Sequence, residues 1–294
     1  MTEQPHYAYD DEDFSQFYDK MVENLPSHEY WLDTIDNLYI NIVRKSLIHI
    51  KDSVGRVIEL GTGTATTLLS LKNHLSIDNR TMDLIGVDNS KVMLQRAIEK
   101  IDKNDNINIR FHLIQASLTD FAEKLPFEHH SIDCILLTAG TFHHLITDQE
   151  RIMCLNNIHQ FLKFHTGLGM IYLIPECAIH IDDSLVKEDE EKINENDNNY
   201  QFISQKRTNW QDKINQDWYC EQIFQLKKGK DINRTLKWTI RTCTPKYLIN
   251  LLMKNGFKPV YYCLNGIDLI NSDQINLKDD DVFITPFIVV FQTY

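Results

Sequence analysis

Between residues 54 and 174 the chain alternates between two hydrophobic rhythms. Near-continuous apolar runs of strand length, rich in Val, Ile and Leu, occur at 54–60, 82–87, 109–115, 132–138 and 168–174. Between several of them, apolar positions recur at intervals of three and four, the period of a helix buried along one face. Leu68, Leu69, Leu71 and Leu75 form one such face, Val92, Met93, Ala97 and Ile101 a second, and Ile152, Leu155, Ile158 and Leu162 a third. Thr147, three before Glu150, gives the third helix a capping-box start. Apolar strands separated by helices predict a parallel sheet covered on both faces. Upstream, Ser27 offers an N-cap, and Trp31, Ile35, Leu38 and Ile42 share one face of a helix running to about residue 50.

After Pro175 the rhythm stops. Residues 176–199 hold nine Asp or Glu against two Lys, and 187–200 reads as a mobile loop or frayed helix. Residues 201–241 hold nine Lys or Arg against four acids. Within them, 218–227 and 234–243 predict two strands of a β-hairpin joined across Lys228-Gly229-Lys230-Asp231. The opposite charges suggest that the acidic and basic segments lie against each other. Thr244-Pro245 restarts a helix through Leu248, Leu251 and Leu252, stopped by Gly256. Strands follow at 257–263 and about 282–292, with Pro286 arguing for an edge position or a bulge. Residues 264–281 have no clear pattern and are read as a loop near the mouth of a binding site. The division is thus a helical cap over 1–53, a core over 54–175, an inserted lid with acidic loop and hairpin over 176–243, and the rest of the core over 244–294.

Length and composition narrow the class. The 294 residues, 43% hydrophobic and 24% charged, suit one large globular domain or one domain plus an insertion. Six Cys stand singly, with no Cys-x-x-Cys pair, which argues against a zinc ribbon and fits a reducing compartment. Met1-Thr2-Glu3-Gln4-Pro5 does not begin a signal peptide, and no apolar run reaches membrane-spanning length, so a cytoplasmic location is expected. A net charge of −12 argues against general binding to a phosphate backbone. Residues 1–25 mix acids with Tyr7, Tyr9, Phe14, Phe17 and Tyr18, as a solvated arm or as a flap over a pocket.

The most informative segment is Val57-Ile58-Glu59-Leu60-Gly61-Thr62-Gly63-Thr64-Ala65, an apolar strand entering a glycine-rich turn before a helix. Such a turn brings a ligand close to the main chain and to the unpaired N–H groups of a helix start. Asp88, at the tip of the next strand, is placed to accept hydrogen bonds from a ribose diol. No Gly-Lys-Ser/Thr follows the glycines, so this is not a P-loop.

These residues, together with Gly86-Val87-Asp88-Asn89-Ser90, Met93-Leu94 and Ile132-Asp133-Cys134-Ile135-Leu136-Leu137, resemble the class I S-adenosylmethionine-dependent methyltransferases. The resemblance covers most of 54–175 and again 244–293. It implies an α/β, Rossmann-like fold: a seven-stranded, mostly parallel sheet with an antiparallel last strand at about 286–293. The flavour is the small-molecule type, with a β lid inserted after strand five. It also implies S-adenosyl-L-methionine as cofactor and assigns roles. Glu59, Gly61 and Gly63 frame the methionine part. Asp88 holds the ribose, and Asn89 and Met93 border the adenosine. Ala116, Ser117 and Leu118 flank the adenine, and Thr138 and Ala139 face the methyl donor. Tyr18 closes on the carboxylate end of the cofactor. Two positions depart from the pattern: Ala65 replaces a third glycine, and Ser117 replaces an acid beside the adenine, with Asp120 three residues on.

Methyl transfer is a direct displacement, so alignment and desolvation supply much of the catalysis. An amine needs only to arrive neutral, whereas a hydroxyl usually also needs a base within reach. His143, His144 and Glu176 are the catalytic candidates, and an adjacent His pair without a third ligand predicts no metal site. Trp210, Trp218, Tyr219, Trp238 and Arg241 of the insertion line a substrate pocket or pack the lid. The expected partner is a small-molecule acceptor, aromatic compounds included, with no membrane and no nucleic acid. Nitrogen and oxygen acceptors stay open, as does a homodimer. The competing readings are an RNA-directed methyltransferase, a non-catalytic binding or regulatory protein on the same fold, and a dehydrogenase. The last lacks an evident second mononucleotide half.

Overall fold

The computed structural model describes residues 6–23, 28–50, 54–76, 80–101, 108–174, 190–191, 200–211, 218–228, 232–264, 268–275, 277 and 286–294. In chain order, a short strand β1 (His6–Tyr7) and a single 3₁₀ turn lead into helices α1 (Glu12–Glu23) and α2 (His28–Ser46). Then β2 (Gly55–Leu60), α3 (Thr66–Leu75), β3 (Met82–Asp88), α4 (Lys91–Ile101), β4 (Ile109–Gln115), β5 (Cys134–Leu137), α5 (Asp148–Phe161) and β6 (Leu168–Leu173) alternate. An inserted block follows: β7 (Glu190–Glu191), β8 (Tyr200–Gln211), β9 (Trp218–Lys228) and β10 (Ile232–Arg241). The chain closes with α6 (Pro245–Lys254), β11 (Phe257–Cys263), β12 (Ile270–Asn271) and β13 (Phe287–Thr293).

The main sheet has the order β12-β11-β13-β6-β5-β2-β3-β4. From β6 to β4 every pairing is parallel. The strands read as unbroken apolar runs because helices cover both faces, and each face carries its own buried cluster. The antiparallel last strand is found: β13 runs between β6 and β11, pairing Phe287 with Leu173 and Ile288 with Cys263. Two expectations at this end are corrected. Pro286 marks neither an edge nor a bulge. It directly precedes the first paired residue of an interior strand, where its missing N–H costs no ladder bond. The register shift lies instead between Pro259 and Tyr261 on β11. The described part of 264–281 adds an eighth, two-residue strand on the outer edge of β11, and no residue of it lines the cavity described below.

The inserted block forms a second sheet, β1-β10-β9-β8-β7, antiparallel except where β1 joins β10 in parallel. The predicted hairpin is β9–β10. Strand β8 went unread because its sequence, with Gln201, Ser204, Gln205, Lys206 and Arg207, lacks a clean alternation. It is held by pairing along the whole length of β9. Glu190 and Glu191, in the segment read as a loop, pair with Ile203 and Phe202; residues 176–189 and 192–199 lie outside the described residues. In that pairing the described part of the acidic segment lies against the basic one, as expected, and the basic insertion also meets a second acidic segment. Arg234 of β10 lies 2.8 Å from Asp11 and 3.3 Å from Asp13, at the start of α1. Asp11 also caps that helix, its Oδ1 accepting from the N–H groups of Asp13 and Phe14 at 3.0 Å. Phe14 and Phe17 of α1 are buried against Leu226, Leu236 and Met93. The amino-terminal arm is therefore packed between the inserted sheet and α4.

Among the described residues, no helix is long and apolar enough to cross a membrane.

Candidate functional site

In the main sheet the strand order turns back at β2, which lies between β5 and β3. Crossovers leave in opposite directions on its two sides and open a crevice at the carboxyl ends of these strands. A cavity of about 290 Å³ lies there. The turn after β2 forms one wall. Two N–H groups, of Gly61 and Thr62, donate to the Val87 carbonyl at 2.8 and 3.0 Å and tie the turn to β3. Gly61, Gly63 and Ala65 all take left-handed conformations, at φ +72°, +54° and +61°. Ala65 thus occupies the third-glycine position in the conformation a glycine favours. A Cβ on Gly61 would strike Thr141 at 2.4 Å, whereas one on Gly63 would meet nothing within 4 Å. At Gly63 the main chain lies open to whatever enters the cavity.

Asp88 stands opposite. Its Oδ2 accepts from the Gly63 N–H and its Oδ1 from the Ser90 N–H, both at 2.8 Å. Burial raises its pKa, with the charge of Asp10 adding to it, against the pull of three backbone N–H groups, of Ser90, Gly63 and Asn89. Three of its roughly four lone-pair sites are thus taken, which leaves capacity for a ligand hydroxyl. Ser90 does two further jobs: its hydroxyl accepts from the Met93 N–H at the start of α4 and donates to the Tyr9 carbonyl at 2.6 Å. Tyr7, Tyr9 and Tyr18 of the arm line the cavity, so the flap arrangement is the one adopted. Burial, with nearby acids, holds the Tyr7 and Tyr18 phenols up at about 12. They face the cavity as protonated donors.

Most of the cofactor-binding residues expected from sequence come together here: Tyr18, Gly61, Gly63, Asp88, Asn89, Met93, Ser117 and Leu118. Glu59 and Thr138 do not line the cavity. They stand behind the turn, where Glu59 accepts from the Thr138 hydroxyl at 2.7 Å and the Thr62 hydroxyl at 2.8 Å. Burial raises its pKa to about 7 against the pull of those hydroxyls. Asp120 does not reach into the cavity in place of the missing acid. Its Oδ1 turns back to accept from the Ser117 N–H at 2.7 Å and hydroxyl at 2.9 Å. Thr141 lines the cavity beside Gly61, and sequence reading missed Leu145 and Glu150, which line it too. Glu150 was read as a capping residue, which it is, and nothing in a capping-box pattern signals a second role.

The catalytic candidates separate. Glu176 lies outside the described residues. The base role for His143 is not met: the ring is fully buried, away from the cavity, with both nitrogens in backbone hydrogen bonds. His144 does line the cavity, edge-on to Tyr9 at 5.5 Å. One ring nitrogen meets the Thr239 backbone, and burial lowers the pKa to about 4. Its Nδ1 is shut off from solvent with no partner among the described residues. Of the insertion's aromatics, Trp238 stacks on Tyr9 and Trp210 on Tyr219, so these pack the arm and the inserted sheet. Among the described residues no cluster of His, Cys, Asp or Glu could hold a metal ion.

The cavity offers a carboxylate with acceptor capacity, an open glycine cradle, protonated phenols at Tyr7 and Tyr18, and apolar flanks at Met93 and Leu118. That donor set fits a nucleoside with a polar tail.

Comparison with known proteins agrees. Residues 57–165 match the methyltransferase domain family. No curated protein sequence matches the chain. Among solved structures, the CcbJ methyltransferase of Streptomyces caelestis is similar at 14% identity, covering 98% of both chains with a TM-score of 0.66. The sugar N-methyltransferase KedS8 from a Streptoalloteichus species is 14% identical, with 94% of this chain and 93% of that chain covered and a TM-score of 0.59. The SAM-bound amino pentose methyltransferase CalS10 from Micromonospora echinaspora is 13% identical, with 94% and 95% covered and a TM-score of 0.55.

Proposed function

We propose that this chain, a class I S-adenosylmethionine-dependent methyltransferase by its fold and its matched domain, methylates an amine nitrogen of a small polar molecule. In this reading Gly61 and Gly63 border the methionine part of the donor and Asp88 takes the ribose hydroxyls. Met93 and Leu118 sandwich the adenine beside Ser117. Tyr18 donates to the donor's carboxylate end, and Glu59 with Thr138 keeps the turn in shape from behind. Bound there, the donor supplies a methyl group activated on a sulfonium sulfur.

One observation carries the choice of nitrogen. Among the described residues lining the cavity, the only imidazole is His144, and burial holds it neutral down to about pH 4. So weak a base does not draw a proton from a hydroxyl, whereas an amine that arrives neutral needs none drawn. The ring of Tyr9, backed by Trp238, lines the cavity beside it, and an apolar surface there favours the neutral amine further. Similarity to a sugar N-methyltransferase and an amino pentose methyltransferase supports the same acceptor class. The net charge of −12 supports a small acceptor over a polyanionic one.

The test is an acceptor screen with S-adenosylmethionine, pairing amino sugars with their hydroxyl counterparts and including phenols, read by mass. Amines should gain 14 mass units per methyl group (roughly, the arithmetic of H replaced by CH3) and hydroxyl counterparts should not. The rate should rise about tenfold per pH unit until the acceptor amine is deprotonated. Equal methylation of a hydroxyl counterpart or a phenol would contradict the amine reading.

A further inference from the structure

His143 has no place in the cavity, yet it is one of the few fully buried titratable side chains. Its partners explain why. Nε2 accepts the N–H of Ile174 at 3.0 Å, and Nδ1 lies 2.9 Å from the carbonyl of Arg241. Ile174 is the first residue after β6, where the chain leaves the core. Arg241 is the last residue of β10, where it returns. A single imidazole therefore bridges the two ends of the insertion. The bonds fix its tautomer. A backbone N–H can only donate, so Nε2 carries the lone pair; a carbonyl can only accept, so Nδ1 carries the hydrogen. The Arg241 carbonyl also accepts from Arg151 Nη2 at 2.9 Å, which anchors the return point to α5.

The next residue, His144, reaches the same strand two positions earlier, at the backbone of Thr239. Adjacent histidines thus hold one stretch of β10, the first from beneath the insertion and the second from the cavity wall. We propose that His143 is the clasp that sets the inserted sheet against the core, and that through β10 it positions His144 at the cavity. His143 is a positioning residue; its consequence for turnover rests on the methyltransferase reading, but the clasp itself does not.

Burial agrees, pushing His143 down to about 3 with help from the Arg151 and His144 charges, so the neutral ring persists at ordinary pH. A proton on Nε2 would face the Ile174 N–H donor to donor.

The test needs neither donor nor acceptor. Nitrogen NMR of the histidine rings in the full chain should show His143 in the Nδ1–H form, without titration from pH 5 to 8. An Nε2–H form, or an ordinary titration, overturns the proposal with no variant required. In His143→Leu, which removes both bonds, β10 should part from the core and rehydrate His144. The His144 titration should move up by at least one pH unit towards the ordinary value of about 6.5. Amides of β9 and β10 should exchange at least tenfold faster while those of β2 and β3 keep their rates. His143→Gln has one acceptor and one donor on its terminal amide and should restore at least half of both shifts. Unchanged His144 titration in His143→Leu overturns the proposal, and so does equal loosening of β2 and β3, which marks a plain loss of stability. If His143→Leu does not fold, His143→Asn serves: its shorter amide reaches one partner only and should give the same changes in smaller measure. Failure of the methyltransferase reading would show as absent donor binding and would leave all these readouts in place.

Discussion

Gly63 separates what the turn needs from what a ligand needs. An alanine there meets no protein atom but must hold φ near +54°, at a cost of about 1 kcal/mol. Gly63→Ala should therefore fold, with melting lowered by only a few degrees, and should lose donor affinity at least tenfold as its methyl enters the cavity. Native affinity in a calorimetric titration would remove Gly63 from the site. Asp88→Ala should weaken donor binding by a similar or larger factor, because it deletes the acceptor proposed for the ribose and also frees the Gly63 and Ser90 N–H groups. Glu59 acts on stability instead. Its folded pKa of about 7 lies above the ordinary value of 4.5. The folded state then holds a proton that the unfolded state has released, so Glu59 favours folding below about pH 4.5, and that contribution is lost as pH rises to about 7. Melting temperature should fall across this window, and Glu59→Gln should flatten the slope. A slope unchanged in the variant would contradict the raised pKa.

At the scale of elements, the amino-terminal arm is the part on which the site most depends. Phe14 is its buried anchor, and Phe14→Ala removes contacts worth about 3–5 kcal/mol. Limited proteolysis should then cut within 6–23 faster than in the native chain, and donor affinity should fall with it because Tyr9 and Tyr18 leave the cavity. Arg234→Ala breaks an ion pair whose Arg is 45% exposed, so its effect on stability should be under about 1 kcal/mol. Core strands were legible because burial on both faces writes itself as apolar runs: the run at 168–174 is the strand Leu168–Leu173, buried along its whole length. Strand β8 was not legible, since a strand stabilised by its neighbour's main chain carries little pattern of its own. The arm was half legible. Its aromatics promised a cover, but the capping by Asp11 and the pairing of His6 with Leu236 depend on residues far away in sequence. The same holds for the histidines: adjacency beside a cofactor loop suggested chemistry, and only the fold shows that His143 faces the two ends of the insertion.

For the whole molecule, arm, inserted sheet and core meet around one crevice. Tyr9 touches all three: its carbonyl takes the Ser90 hydroxyl at the start of α4, and its ring packs on Trp238 of β10 and on His144. Ligand binding and closure of the arm should therefore be coupled, with the donor-bound protein more resistant to cleavage within 6–23 than the free protein. The central claim is that this crevice binds S-adenosylmethionine. A calorimetric titration of the full chain tests it most directly. The account predicts one site per chain with a dissociation constant in the micromolar range, on the order of −8 kcal/mol, for S-adenosylmethionine and for its demethylated product, and no heat with NAD. No binding of either sulfur compound, or binding of NAD in their place, would contradict it.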